Sequence, residues 1–165
     1  MTRLEKLIDE LTHEAETARR HLERLPDAHF DWRPHPKSFT AGSLGGHLVE
    51  CIRWAEWVFA GDGIDLDPAN YQPVRAMSVA ELLRLFDATL ERALAAMAKS
   101  PDHDATGEWT MRVGGRVQFV KAREDALRDL SLSHLVHHRG QLTVYLRLLD
   151  VPVAWTYGPT ADERS

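Results

Sequence analysis

Apolar residues recur at steps of three and four along four stretches of this chain, and turn-rich breaks separate the stretches. From about Thr2 to Arg24 the apolar positions are Leu4, Leu7, Ile8, Leu11, Ala15 and Ala18, and most of the rest are charged. That is a helical period with one face for a core and one for water. Asp31-Trp32-Arg33-Pro34-His35-Pro36-Lys37 breaks it, because two prolines remove backbone donors and push their predecessors into extended backbone. A second helix, capped by Thr40 or Ser43, runs through Leu44, His47, Leu48, Cys51, Ile52, Ala55 and Val58 to Gly61. The residues from Gly61 to Pro73 read as an irregular loop. Ser78-Val79-Ala80-Glu81 has the form of a capping box and opens a third helix, with Leu82, Leu85, Phe86, Thr89 and Ala93 on its stripe.

The third helix should stop near Ser100-Pro101. From Glu108 to Val120 the pattern alternates around Gly114-Gly115, which predicts a short hairpin-like excursion. A last helix follows over roughly Lys121 to Leu149 and ends at Asp150-Val151-Pro152. Four amphipathic segments predict an all-α fold: a four-helix bundle with the excursion before the last helix. At 165 residues the chain fits a single domain, residues 1–165, with a sizeable core.

Charge and composition narrow the partners. A formal net charge of -5, with no basic run to override it, repels phosphate backbones and argues against nucleic acid. Cys51 is the one cysteine, so an intrachain disulfide and a zinc ribbon are both excluded. The start, Met1-Thr2-Arg3-Leu4-Glu5-Lys6, is charged and leads into no uninterrupted apolar stretch. The expectation is a cytoplasmic protein without membrane contact.

The candidate chemistry lies in Leu132-Ser133-His134-Leu135-Val136-His137-His138-Arg139-Gly140-Gln141-Leu142, inside the last helix. His134 and His138 are one turn apart, about 40° around the helix, on a stripe that Gln141, Leu142 and Tyr145 continue. Two unpartnered imidazoles in an apolar core would each cost a few kcal/mol, roughly. A shared metal ion, or hydrogen bonds within the core, removes that cost. His47, near the start of the second helix, supplies a third nitrogen, and a three-nitrogen set with a free position is that of a reactive metal. Glu50 follows His47 by three residues and could hold the ring nitrogen turned away from the ion, or be an exposed helix glutamate. Cys51 reads first as a small buried hydrophobe, with a fourth ligand or nucleophile as the alternative. His137 faces about 100° from His138 and reads as outer-face or second to the ligands. Trp54 and Tyr145 fall seven residues after His47 and His138 and could line the same cavity, although aromatics at that spacing are usually core. Arg139 points off the stripe and reads as a salt bridge to another helix. His13, His21, His29, His35 and His103 sit in polar contexts and read as solvated, with His35 within possible reach of a site mouth.

These residues resemble the DinB-like, damage-inducible superfamily of bacterial four-helix-bundle proteins, which is distinct from the DNA polymerase of similar name. The likeness spans nearly the whole chain. It is carried by Asp31 to Thr40 leading to His47, by His134 to Leu142 with its His-Arg-Gly-Gln block, and by Val151-Pro152 with Tyr157 to Glu163. The resemblance implies that His47, His134 and His138 are the metal ligands, that one divalent ion, commonly zinc or nickel, is bound per chain, and that two chains pair as a homodimer. It also implies a cofactor role in thiol chemistry, since some relatives are S-transferases or isomerases using a low-molecular-weight thiol. The resulting expectation is a thiol S-transferase acting on a small electrophile, with a metal-dependent hydrolase and a non-enzymatic stress-related metal protein as alternatives.

Overall fold

The computed structural model describes residues 1–163, so Arg164 and Ser165 of the expected 1–165 domain lie outside the described residues. Helix α1 spans Arg3–Leu22 and begins at a reciprocal cap: the Thr2 hydroxyl accepts from Glu5 N, and Thr2 N donates to Glu5 Oε2. Its buried stripe is Leu4, Leu7, Leu11, Ala15, Ala18 and Leu22. Helix α2 spans Ala41–Ala60, and Thr40 is its cap, accepting from Ser43 N at 3.1 Å. Helix α3 spans Val79–Lys99 and is capped by Ser78. There the second half of the expected box differs: Glu81 accepts from Met77 N, one residue before the cap.

The last helical run is built of α4 (Arg123–Leu127), a π-helical turn (Arg128–Leu132) and α5 (Ser133–Leu148). Arg123, itself buried, starts this run and bonds the carbonyls of Val58 and Gly61 at 3.2 Å each. Its guanidinium thereby satisfies open carbonyls at the C-terminal end of α2 and fixes the two helices to each other.

The all-α expectation is corrected by a three-stranded sheet, ordered β1 (Gly63–Leu66), β2 (Glu108–Val113), β3 (Arg116–Ala122). The hairpin of β2 and β3 is the excursion that alternation and Gly-Gly indicate. Gly114 and Gly115 have φ of 56° and 78°, the left-handed backbone a two-residue hairpin turn requires. Strand β1, inside the stretch that reads as loop, pairs parallel to β2 from Gly63↔Thr110 to Leu66↔Val113. Four residues with alternating exposure carry too little periodicity to be seen, and their partner lies over 40 positions away. Trp109, fully buried, ties the sheet to the core.

The core lies between the four long helical runs, and α2 packs most extensively on α3. Gly45 permits that approach, since a Cβ there would fall 2.5 Å from Leu82 Cδ2. His21 is a second correction. It is fully buried between α1 and the C-terminal segment, with Nδ1 2.8 Å from Thr17 O and Nε2 3.1 Å from Ala154 O. Arg139, as expected of it, pairs with another helix: it is buried against Glu14 of α1 and bonds Tyr157 Oη at 2.6 Å. Among the described residues no helix is long and apolar enough to cross a membrane.

Candidate metal centre

Helices α2 and α5 each present one (i, i+4) pair of donor residues to the other: His47 and Cys51 from α2, His134 and His138 from α5. The three imidazole rings form a triangle with centroid separations of 4.9 Å (His47–His134), 4.5 Å (His47–His138) and 4.7 Å (His134–His138). The Nε2 atoms of His47 and His134 are 3.2 Å apart. Ligand atoms of His47, Cys51 and His134 all lie within 4.8 Å of one another. His138 stands outside that set of donor atoms, with its ring packed on the His47 ring and lining the adjoining cavity.

The far side of every ring meets an acceptor. His47 Nδ1 donates to Glu50 Oε2 at 2.7 Å, His134 Nδ1 to Leu130 O at 3.3 Å, and His138 Nδ1 to Gln141 Oε1 at 2.8 Å. A carboxylate and a carbonyl can only accept, so each of these contacts places a proton on Nδ1 and turns Nε2 toward the other rings. Burial, with the nearby His47 second, holds His134 below its ordinary value. Burial pushes His138 down to about 4 against the support of Gln141. Both rings are therefore neutral at pH 7, the form that binds metal.

The Nδ1 contacts of His47 and His134 turn their Nε2 atoms toward each other, the arrangement in which two imidazoles from different helices can share one cation. Two nitrogens about 2.0–2.1 Å from one tetrahedral ion are separated by about 3.3–3.4 Å, so the 3.2 Å contact fits a divalent ion.

Glu50 anchors this geometry. It is 5% exposed, and Oε1 accepts from Val74 N at 2.7 Å while Oε2 takes the His47 proton. Burial alone would raise its carboxyl, but the bonds from His47 and Val74 win and hold it below the usual range. Gly46 makes the contact with the Val74 segment possible, because a Cβ there would sit 2.3 Å from Val74 O. Gln141 relays outward: its amide nitrogen lies 3.1 Å from His137 Nε2, and the His137 ring also meets the His138 ring edge-on at 4.8 Å.

Beside the rings opens a cavity of about 440 Å³, walled by Phe39, His138, Gln141, Val144 and Tyr145, with Lys37 at its edge. Tyr145 Oη donates to Phe39 O at 3.0 Å and its ring meets Trp32 edge-on, which fixes the segment before α2 as one wall. Phe39 lies 5.4 Å from the His47 ring. It has no part in any helical stripe, so periodicity does not point to it. Trp54 stacks edge-on with Trp57 at 5.0 Å and is not in this wall. His35 faces its own loop, accepting from Lys37 N.

A family model described as the DinB family matches residues 1–164. Comparison with curated proteins returns no match. Among solved structures, the chain is similar to a DinB-like protein from Bacillus cereus with TM-score 0.73 and 22% identity, covering 93% of this chain and 97% of that one. A DinB-like protein from Bacillus subtilis gives TM-score 0.70 and 16% identity over 92% of this chain and 97% of that chain. A mycothiol-dependent maleylpyruvate isomerase gives TM-score 0.52 and 15% identity over 92% of this chain and 62% of the other.

Proposed function

Since the chain belongs to the DinB family, we propose that it holds one divalent metal ion, zinc or nickel, and uses it in thiol chemistry on a small electrophile. The observation that carries the reading is the pair of imidazoles from α2 and α5 whose Nε2 atoms face each other at 3.2 Å. His47, His134 and His138 would hold the ion. When bound, the ion supplies Lewis acidity and keeps a thiol as thiolate at neutral pH. Glu50 and Gln141 keep the Nδ1 protons in place and so aim the rings. Phe39, Val144 and Tyr145 give the cavity an apolar wall on which the body of a substrate can rest. The similarity in fold to a mycothiol-dependent isomerase supports a thiol as the co-substrate class. Exposed Val144 and Leu148, one turn apart on α5, support pairing of two copies along that helix.

A second reading, a metal-binding protein without catalysis, draws on Cys51. A fourth protein donor would close the ion, as structural sites do.

The test is metal content by mass spectrometry on tag-free protein, beside a His134→Ala, His138→Ala double variant. About one equivalent of a transition metal in the wild type, lost in the variant, is the expected result. Conjugation of a small thiol with an activated aryl halide should then stop on chelation and return with added metal. Conjugation at the same rate in metal-free protein would end the thiol-transfer reading.

A further inference from the structure

Cys51 stands with His47 and His134 in one set of mutually close donor atoms. It follows His47 by one turn of α2, it is completely buried, and its sulfur is within 4.8 Å of donor nitrogens on both α2 and α5. Nothing in the hydrophobic packing requires sulfur at this position. The buried Glu50 carboxylate one residue away adds a negative charge nearby. Without a cation, burial and then Glu50 drive the thiol well above its ordinary range, so it waits as neutral S–H. A dication at the imidazole cluster reverses that balance, because a coordinating thiol is deprotonated outright.

We propose that Cys51 Sγ is the fourth protein donor of this centre, completing two facing pairs, His47 with Cys51 and His134 with His138. The inference rests on the reading of the imidazole cluster as a metal centre. On loading, the S–H bond breaks, a sulfur–metal bond forms from the same electron pair, and the proton leaves to solvent. No oxidation state changes. A small thiol then meets a filled centre, and Cys51 is the donor it can replace like for like. The incoming S–H proton ends on Cys51 Sγ and the incoming sulfur takes the vacated bond. The centre is thus closed at rest and opens to sulfur ligands.

Cobalt(II) reports this directly, since thiolate bound to cobalt gives an intense near-ultraviolet charge-transfer band that imidazole and water do not. Cys51 is the one cysteine of the chain, so in thiol-free buffer a band can come from no other residue. The expected result is a band that saturates at about one cobalt per wild-type chain. Cys51→Ala should bind cobalt without the band, and more weakly by at least the roughly 10–100-fold typical of losing an outer-shell partner. β-Mercaptoethanol should restore the band in that variant. Cys51→Ser serves the same purpose should the alanine variant not hold its fold, and the wild-type spectrum decides ligation without either. Wild-type protein that binds cobalt with no band overturns the inference and leaves the metal centre standing. Wild-type protein that binds no cobalt overturns both. A variant whose band does not return with β-mercaptoethanol overturns the replacement.

Discussion

Glu50 uses both carboxylate oxygens on different elements, holding His47 of its own helix and the backbone of Val74 in the segment before α3. Its charge is what keeps the His47 proton on Nδ1. Glu50→Gln keeps the shape and removes the charge, so zinc affinity should fall about 10–100-fold. Competition with a chromophoric chelator measures it, and an unchanged constant would show that Glu50 is mere packing. The neighbouring Gly46 makes a different kind of demand. Alanine there puts a methyl group 2.3 Å from a backbone oxygen, which cannot rotate away as a side chain can. Gly46→Ala should destabilise by about 1–3 kcal/mol, read from urea unfolding, because the Val74 segment must shift. At this scale the sequence is legible in part. His47, His134 and His138 stand out because residues at (i, i+4) share a helix face and an apolar face makes unpartnered imidazole costly. Phe39 and the Leu130 carbonyl do not, since one lies in a loop without period and the other is backbone.

The π-helical turn at Arg128–Leu132 is the element that aims α5. It inserts one residue into the helical ladder just before His134, and its Leu130 carbonyl accepts the His134 proton. Adding one alanine after Leu132, a second extra residue that the turn does not absorb, should rotate α5 by about 100° against α4. His134 and His138 would then leave the facing position opposite His47. The expected outcome is a helical circular dichroism spectrum with transition-metal binding lost. Binding at full stoichiometry would show that the turn does not set the register. The hydrophobic pattern reveals the helix on both sides of this turn but not the turn, because Leu127, Leu132 and Leu135 fit a helical stripe with or without a one-residue slip. The same limit hides β1, whose existence depends on β2 as partner.

Across the whole molecule, three histidines, one on α1 and two on α5, share one electrostatic fate. Burial lowers His21, His134 and His138, the last to about 4, from an ordinary value of 6.5. Between those values the unfolded chain binds more protons than the folded one, so stability rises with pH and is lost as pH falls from 6.5 toward about 4. Glu50, lowered from 4.5, adds to the loss at the acid end. The urea midpoint of chelator-treated protein should therefore be lower at about pH 5 than at about pH 7.5. A midpoint that stays constant or rises would contradict buried neutral rings. Metal acts in the opposite direction: a ligand of the folded state alone adds about 2.7 kcal/mol at a hundred times its Kd, so zinc should raise the melting temperature and a chelator should reverse it.

By itself the sequence determined the helical runs, the cap at Ser78, a choice of Thr40 or Ser43 for the second cap, the glycine turn of the hairpin and the shared face of His134 and His138, because each depends on residues within a turn or two of one another. Tertiary structure alone decided what those residues meet. The parallel pairing of β1, the burial of His21 under the C-terminal segment, the cavity walled by Phe39 and the placing of Cys51 among the donors each join positions far apart in the chain. Local periodicity records which face of a helix is buried. It carries no record of the partner on the other side, and it is the approach of α2 to α5 that brings His47, Cys51 and His134 together.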